Sequence, residues 1–236
     1  MDAWREEQIQ SLLTAKTDTE FFVTLSHAAN VLGFDYCAYG MKMPLPISKP
    51  KVVMLSNYSE CWQQRYLQEN YVAVDPTVVH GMRSVMPLVW SDEVFAVSRP
   101  FWEDARAHGL RIGWAQSCFD ARGVAGLLTL ARSHDSLQVS ELRDQSLKLS
   151  WLVQTAHHGL SNMLVPKLMP ETSVNLTPRE VEVLRWTADG KTSSEVGDIV
   201  CISERTVNFH VNNALIKLDA VNKNAGVIKA AILGLL

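Results

Sequence analysis

The spacing of apolar residues divides the chain into a mixed first part and a helical last part. In the first part, short apolar or alternating runs predict five strands, at residues 36–41, 51–55, 88–90, 112–118 and 123–131. Asp18 can cap a helix over 19–32, and a long helix is predicted over 138–163. Because two strands are joined by a turn of hairpin length, we expect an antiparallel sheet flanked by helices, an α/β/α sandwich.

Capping signals predict four short helices beyond residue 175. Twice, a Thr stands three positions before a Glu, the spacing of a capping box. The four predicted N-caps are Thr177, Thr192, Ser203 and Asn222. A tight turn between the second and third helices is typical of a helix-turn-helix. The expected fold class is therefore α+β, with an all-α four-helix helix-turn-helix domain at the C-terminal end.

The third of these helices, 204–218, has two different faces on a helical wheel. Its apolar residues fall within a ~100° sector, which must face the core. The opposite side carries Arg205, Phe209 and Asn212, with Asn208 at its edge. In a major groove, Asn208 and Asn212 would lie one turn apart, each suited to a pair of hydrogen bonds with adenine. Phe209 would contact a thymine methyl group.

Other polar residues around this helix are candidates for phosphate contacts, helped by helix N-termini. They are Thr177, Arg179, Lys191, Thr192, His210 and Lys217, and Arg205 and Thr206 complete the predicted DNA-binding set. The same helical geometry also occurs in enzymes and protein-binding bundles. The segment from residue 176 has seven Lys or Arg and seven Asp or Glu, so its charge does not favour DNA. On spacing and caps alone, both interpretations stay open.

Aromatic residues are concentrated in the first part of the chain. Of 19 Phe, Trp and Tyr, only Trp186 and Phe209 lie beyond residue 165. Between the two compositions, residues 166–175 contain two prolines and end in small polar residues, which is typical of a linker. We therefore predict a domain over 1–165, a linker over 166–175 and a second domain over 176–236.

Composition excludes several classes of protein. Apolar residues make up 47% and charged residues 20%, which is ordinary for a globular protein. The four cysteines have neither CxxC nor metal-ligand spacing, so we expect a reduced cytoplasmic location and no metal or cofactor. No stretch approaches the ~18–20 unbroken apolar residues of a membrane span, so no membrane partner is expected. The net charge of −3 does not by itself indicate nucleic acid.

Aromatic and polar residues between positions 56 and 102 form a candidate binding site. Tyr58, Trp62 and Tyr66 recur every four residues, and Asp75 precedes Pro76, where it can cap a helix. Further aromatic residues follow at Trp90, Phe101 and Trp102. Such aromatic residues are usually core, and Asp-Pro is usually only a cap. Alternatively they line a largely apolar pocket with few donors and acceptors, which would suit an amphiphile with an amide head and an alkyl tail.

From residue 176 onward the sequence resembles the LuxR-type, GerE-like DNA-binding domain. The resemblance runs without a gap for about 60 residues, through Leu-Thr-Pro-Arg-Glu-Val-Glu-Val-Leu at 176–184 and Ile-Ser-Glu-Arg-Thr-Val-Asn-Phe-His at 202–210. In that family the third helix reads the major groove and the fourth supports dimerisation. The positions of Asn208 and Asn212 are ones where family members commonly contact bases. The resemblance implies double-stranded promoter DNA as a partner, and a homodimer.

The first part resembles the autoinducer-binding domain of LuxR-type quorum-sensing regulators. The matching residues are Trp62, Tyr66, Asp75-Pro76, Trp90, Trp102, Ala105, Gly109 and Gly113. The family ligand is an N-acyl-L-homoserine lactone. By resemblance, Trp62 donates to the lactone carbonyl, Asp75 accepts from the amide N–H, and Tyr58 donates to the amide carbonyl. The other implied ligand-binding residues are Tyr66, Thr77, Val78, Trp90, Phe101, Trp102, Ala105 and Thr129.

The sequence bears on three alternatives to a ligand-responsive transcriptional regulator. A phosphoacceptor receiver needs paired acidic residues after its first strand, and the first apolar run has only Asp35. An enzyme that hydrolyses acyl-lactones is disfavoured because the sequence has neither a G-x-S-x-G elbow nor an H-x-H metal cluster. A regulator of the same family that responds to a different small molecule, or to none, is the remaining alternative. We therefore expect a regulator and not an enzyme.

Overall fold

The computed structural model describes residues 11, 12, 14–169 and 174–236. Its contacts divide the described chain into two compact units, named here the sheet unit and the helical unit. The helical unit comprises residues 165–169 and 174–236 together with Met43–Lys51 and Ala121–Gly123, and the sheet unit comprises the other described residues. The predicted linker lies partly outside the described residues, and its boundaries stay a prediction.

The sheet unit is built on a five-stranded antiparallel sheet with the strand order β2-β1-β5-β4-β3. The strands are β1 (Tyr36–Lys42), β2 (Val52–Ser56), β3 (Leu88–Val89), β4 (Ile112–Phe119) and β5 (Ala125–Arg132). Each lies within two residues of its predicted position, so the expected antiparallel sheet is confirmed. In the turn between β4 and β5, Gly123 has a φ of 72°, which glycine adopts without strain.

Helices cover both faces of this sheet. They are α1 (Asp18–Val31), α2 (Glu60–Gln68), α3 (Pro76–Gly81), α4 (Asp92–Phe95), α5 (Arg99–Ala107) and α6 (Val139–Leu168), with short 3₁₀ turns at Tyr71–Ala73 and Ala96–Ser98. Within the described ranges, no helix is long and apolar enough to cross a bilayer.

Residues along β1 alternate between the two faces of the sheet, as a strand requires. Tyr39 and Met41 are buried on the face that packs against α6, where the Tyr39 hydroxyl lies 2.7 Å from Nδ1 of His157. Ala38 and Gly40 point to the opposite face, towards α2, α3 and α5. Helices on both faces make the predicted α/β/α sandwich.

The N-cap of α1 is Thr17 rather than the predicted Asp18. The Thr17 hydroxyl accepts a hydrogen bond from the backbone N–H of Glu20 at 3.1 Å, and the helix begins at Asp18. Both residue types are good N-caps, so the local pattern alone does not separate these neighbours. The observed N-cap therefore lies one residue before the predicted one.

Helix α6 also differs from its prediction, because it continues past residue 163 to Leu168. Pro166 lies inside the last turn, although proline lacks the backbone donor that an α-helix needs. Val165 and Met169 on this turn are both fully buried. Burial of these side chains outweighs the low helix propensity of the Pro166 turn. Tertiary packing of this kind often moves a helix end away from the position that the sequence predicts.

The helical unit contains α7 (Pro178–Ala188), α8 (Ser193–Val200), α9 (Glu204–Lys217) and α10 (Lys223–Ile232). Their N-caps are the four predicted residues, Thr177, Thr192, Ser203 and Asn222. Both predicted capping boxes have both of their reciprocal hydrogen bonds. These caps satisfy backbone N–H groups that the first helical turn leaves without partners.

The turn between α8 and α9 depends on a close backbone approach. Cys201 ends α8 in a left-handed conformation with a φ of 56°. A Cβ atom on Gly197 would lie only 2.7 Å from the carbonyl oxygen of Ile202. Glycine at this position therefore lets the chain after α8 fold back against the helix, while Val196 and Val207 are fully buried in the shared core.

Candidate functional site

A cavity of about 230 Å³ lies in the sheet unit between one face of the sheet and helices α2, α3 and α5. Ala38, Gly40 and Thr129 belong to its sheet side, and aromatic residues dominate its helical side. All eleven residues predicted to bind a ligand line it: Tyr58, Trp62, Tyr66, Asp75, Thr77, Val78, Trp90, Phe101, Trp102, Ala105 and Thr129. The structure brings them to one place, and their contacts with a ligand stay a prediction.

A buried carboxylate is the centre of the polar part of the cavity. Asp75 is 8% exposed and is the N-cap of α3. Its Oδ1 accepts hydrogen bonds from the backbone N–H and hydroxyl of Thr77 at 2.8 and 2.7 Å, and its Oδ2 accepts one from the Tyr66 hydroxyl at 3.0 Å. Burial raises the pKa of Asp75, although these hydrogen bonds oppose the rise. The cluster holds the carboxylate in one orientation beside the cavity.

The two tyrosines beside Asp75 are held in their protonated form. Burial is the largest cause of a raised pKa at both Tyr58 and Tyr66, and the negative charge of Asp75 adds to it. Tyr66 uses its hydroxyl on Asp75, and the backbone carbonyl of Tyr58 accepts a hydrogen bond from Gln63 at 2.7 Å. Both phenols therefore keep a proton that they can donate at neutral pH.

Closely packed aromatic rings form the aromatic side of the cavity. Trp62 is 3% exposed and lies 5.9 Å from the ring of Phe101 and 5.8 Å from that of Tyr66, centroid to centroid. Trp102 stacks on Phe95 with centroids 4.3 Å apart, and its indole N–H donates to Oδ1 of Asp92 at 2.7 Å. The Trp102 donor is thus engaged within the protein, which leaves this indole an apolar surface for the cavity.

The remaining part of the cavity is apolar and surrounds Gly40. A Cβ atom on Gly40 would meet no atom within 4 Å, so open space lies directly above it. Its neighbours on the adjacent strands are Met54 and Leu127, which also line the cavity. Ala38, two residues before Gly40 on β1, pairs with Thr129 on β5. Two residues of a strand span ~7 Å. The cavity therefore extends along the strands from Thr129 towards Gly40.

Sequence analysis missed this floor of small and apolar residues. The signal was present, since Ala38 and Gly40 occupy alternate positions of a predicted strand. Small residues at such positions leave space on one face of a sheet. The predicted site was instead defined mainly by aromatic and polar residues. A cavity also requires positions with small or absent side chains, such as Ala38 and Gly40.

A second candidate surface lies on α9 of the helical unit. Val207, Val211 and Ala214 are buried, as the helical wheel predicts. On the outer side a shallow groove is lined by Glu204, Arg205, Asn208, Phe209 and Asn212. Phe209 is 60% exposed, so its ring is available for contact with a partner at this groove.

The predicted phosphate contacts occupy different environments. Nζ of Lys217 lies 2.9 and 2.8 Å from the two carboxylate oxygens of Glu180, a residue only 3% exposed. Arg179 pairs with Glu182. The hydroxyls of Thr177 and Thr192 cap helices, and that of Thr206 lies 2.8 Å from Ser203 Oγ. Lys191 and Arg205 are exposed, and His210 is partly exposed. A phosphate would therefore compete with internal partners at Lys217 and Arg179.

Comparisons with known proteins match both parts of the chain. Residues 17–160 match the autoinducer binding domain, and residues 174–230 match the bacterial regulatory proteins of the luxR family. The chain is similar to the transcriptional activator protein AnoR of Acinetobacter nosocomialis, with 46% identity over 238 residues and 100% of each chain covered. It is also similar to the HTH-type quorum-sensing regulator RhlR of Pseudomonas aeruginosa, with 39% identity, 91% of this chain covered and 89% of that one.

Solved structures give the same result. The crystal structure of SdiA from Escherichia coli matches with a TM-score of 0.85, 34% identity, and 99% and 98% of the two chains covered. SdiA in complex with octanoyl-rac-glycerol matches with a TM-score of 0.83, 34% identity, and 99% and 95% covered. The two matched family models and the named relatives define a transcriptional regulator with an autoinducer-binding domain and a helix-turn-helix, and not an enzyme. The chain belongs to the LuxR family of quorum-sensing regulators.

Proposed function

We propose that the cavity binds an N-acyl-L-homoserine lactone and that the chain, as a homodimer, then binds promoter DNA through α9. The observation that carries the proposal is a cavity with two unlike parts, a carboxylate with aromatic donors in one and open apolar space in the other. An acyl-lactone has the same division, since its amide and lactone are polar and its chain is not. Because promoter DNA of bacteria is cytoplasmic, the proposed site of action is the cytoplasm.

Each polar group of the ligand has a candidate partner. A carboxylate oxygen accepts two hydrogen bonds, so Oδ2 of Asp75 would accept from the ligand amide as well as from Tyr66. The indole N–H of Trp62 would donate to the lactone carbonyl, and the Tyr58 hydroxyl to the amide carbonyl, with Thr129 nearby. The remaining residues would surround the ring and chain: Thr77, Val78, Trp90, Phe101, Trp102 and Ala105.

Ligand binding would act on DNA binding through stability and dimerisation. A ligand that binds only the folded form stabilises it by about 2.7 kcal/mol at a hundredfold excess over its Kd. A dimer would present two α9 helices to half-sites about one helical turn apart, or a multiple of that distance. Linking two readers raises their effective concentration, which would offset the balanced charge of the segment from residue 176.

The variant Asp75→Asn tests the central contact. Asparagine is also a good N-cap, but its amide presents an N–H₂ group where one carboxylate oxygen stood. A hydrogen bond to a charged group contributes about 1.5–3 kcal/mol, so titration calorimetry with octanoyl-homoserine lactone should show affinity about 10- to 150-fold lower.

Glu103→Gln, which neutralises an exposed carboxylate on α5, is the matched control and should bind normally. Wild-type affinity in Asp75→Asn would contradict the proposed contact. A reporter assay should show the same pattern, with the response to the lactone lost in Asp75→Asn and kept in Glu103→Gln.

A second candidate ligand is an acyl chain with a different polar head. The support is the SdiA complex, whose ligand is octanoyl-rac-glycerol. Octanoyl-homoserine lactone and octanoyl-glycerol carry the same chain, so a thermal-shift comparison of the two isolates the head group. The lactone should stabilise the wild-type chain more, because only it has an amide N–H for Asp75. A larger shift with the glycerol ester would favour the second candidate.

A further inference from the structure

The N-terminal ends of α8 and α10 meet α9 at a small polar cluster. Ser193 is the first residue of α8, Lys223 is the first residue of α10, and Asn208 lies in the second turn of α9. The Ser193 hydroxyl lies 2.8 Å from Oδ1 of Asn208, and Nζ of Lys223 lies 2.6 Å from the Ser193 hydroxyl and 3.4 Å from the same Oδ1. Three helices thus converge on one side-chain amide.

The chemistry of these partners fixes the orientation of that amide. A lysine ammonium has three donors and no acceptor, so Lys223 donates to both the Ser193 hydroxyl and Oδ1 of Asn208. The hydroxyl then gives its own proton to Oδ1. Turning the amide over would place its N–H₂ group against an ammonium and a buried hydroxyl, since Ser193 is only 9% exposed. Oδ1 therefore faces inward and Nδ2 faces away.

The outward side of Asn208 belongs to the groove on α9 that Arg205, Phe209 and Asn212 also line. We infer that Ser193 and Lys223 are positioning residues that make Asn208 a donor-only reader of base edges. Such an amide recognises the acceptors of the major groove, which are N7 and O6 of guanine, N7 of adenine and O4 of thymine. The two-bond match to adenine expected from the sequence requires Oδ1, which Ser193 and Lys223 already occupy.

This inference rests on the proposed role of α9 in reading DNA, and its test begins by locating the base pair that Asn208 contacts. The wild-type full chain, with octanoyl-homoserine lactone present, selects a duplex from a randomised library, and every single-base-pair variant of that duplex is then titrated. Asn208→Ala should relax the preference at one base pair of each half-site. Ser193→Ala and Lys223→Met should relax the same pair by about two- to tenfold, the contribution of one hydrogen bond.

Control variants separate positioning from charge and from folding. Lys229→Met removes the same charge from the same helix, but Lys229 bonds to the carbonyls of Leu218 and Asp219 and not to Asn208. It should weaken all duplexes alike. Lys223→Arg keeps a cationic donor and should restore the preference. Ser193→Ala should leave the salt dependence of binding unchanged, because it removes no charge.

Three results would overturn the inference. If Asn208→Ala relaxes one base pair while Ser193→Ala and Lys223→Met leave that pair unchanged, Asn208 reads DNA without positioning residues. If Asn208→Ala relaxes no pair, the proposed base contact of Asn208 fails as well. If the relaxed pair contains adenine and removing the adenine amino group weakens wild-type binding, the amide also accepts and is not donor-only.

Discussion

Replacing Gly40 with valine should shorten the acyl chain that the cavity accepts. Gly40 lies on the cavity floor between Met54 and Leu127, and a Cβ atom there would meet nothing within 4 Å. Its φ is not positive, and β-branched residues are favoured in strands. The new methyl groups would therefore enter the cavity without straining β1.

The expected size of the effect follows from the space that the new side chain takes. Valine adds three carbon atoms at position 40. These atoms would displace about two or three methylene groups of an acyl chain long enough to reach Gly40. Each buried methylene contributes about 0.8 kcal/mol, so a long-chain ligand should lose about 1.6–2.4 kcal/mol of binding free energy. This corresponds to about 15- to 60-fold weaker binding. A chain that ends before Gly40 should lose nothing.

Titration calorimetry with butanoyl- and octanoyl-homoserine lactone measures this difference directly. The ratio of the two affinities should shift towards butanoyl in Gly40→Val. Gly126→Ala is a matched control on the adjacent strand, because its Cβ would point away from the Gly40 space and would clash with Nδ1 of His157 and with the Tyr39 hydroxyl. That variant should lose stability with its chain-length preference unchanged. Equal weakening of both ligands by Gly40→Val, or an unchanged octanoyl affinity, would refute the reasoning.

Three further perturbations have defined outcomes. Lys217→Met should lower the free energy of unfolding by about 1–3 kcal/mol, because it removes the cationic partner of the buried Glu180 carboxylate and leaves it with the hydrogen bond from the Thr177 backbone N–H. An unchanged midpoint in urea would contradict this. Gly197→Ala should lower the thermal midpoint seen by circular dichroism, because its Cβ would lie 2.7 Å from the Ile202 carbonyl oxygen; a wild-type midpoint would count against the close approach. Affinity for the lactone should fall as the pH is lowered, beginning above the ordinary pH range of Asp protonation, because the raised pKa of Asp75 makes its carboxylate take up a proton at a higher pH. If Asp75→Asn has the same pH profile as the wild type, Asp75 is not the group that titrates.

Features set by neighbouring residues were predictable from the sequence. The alternation that buries Tyr39 and Met41 is visible within one strand, and the capping boxes that start at Thr177 and Thr192 span only four residues each. In both cases the interaction that fixes the structure lies within a few positions of the residue that shows it. The aromatic side of the cavity was predicted through the family resemblance, because the helical spacing of Tyr58, Trp62 and Tyr66 is also typical of ordinary core residues.

Features set by distant residues were not predictable in the same way. Asn208 was identified as a base contact, but its partners Ser193 and Lys223 each lie 15 positions away. Only the packing of three helices shows that its amide oxygen is occupied. Similarly, the extension of α6 through Pro166 depends on the burial of its last turn, which outweighs local propensity.

The two-sidedness of β1 has a consequence for how such receptors diverge. The side chains of Tyr39 and Met41 are fully buried, whereas Ala38 and Gly40 are small residues on the face that borders the proposed ligand cavity. Substitutions at Ala38 and Gly40 would therefore change ligand specificity, whereas Tyr39 and Met41 maintain the packing of the fold. Under the proposed function, substitutions on the cavity face of β1 would change the preferred ligand without altering the DNA-binding helix α9.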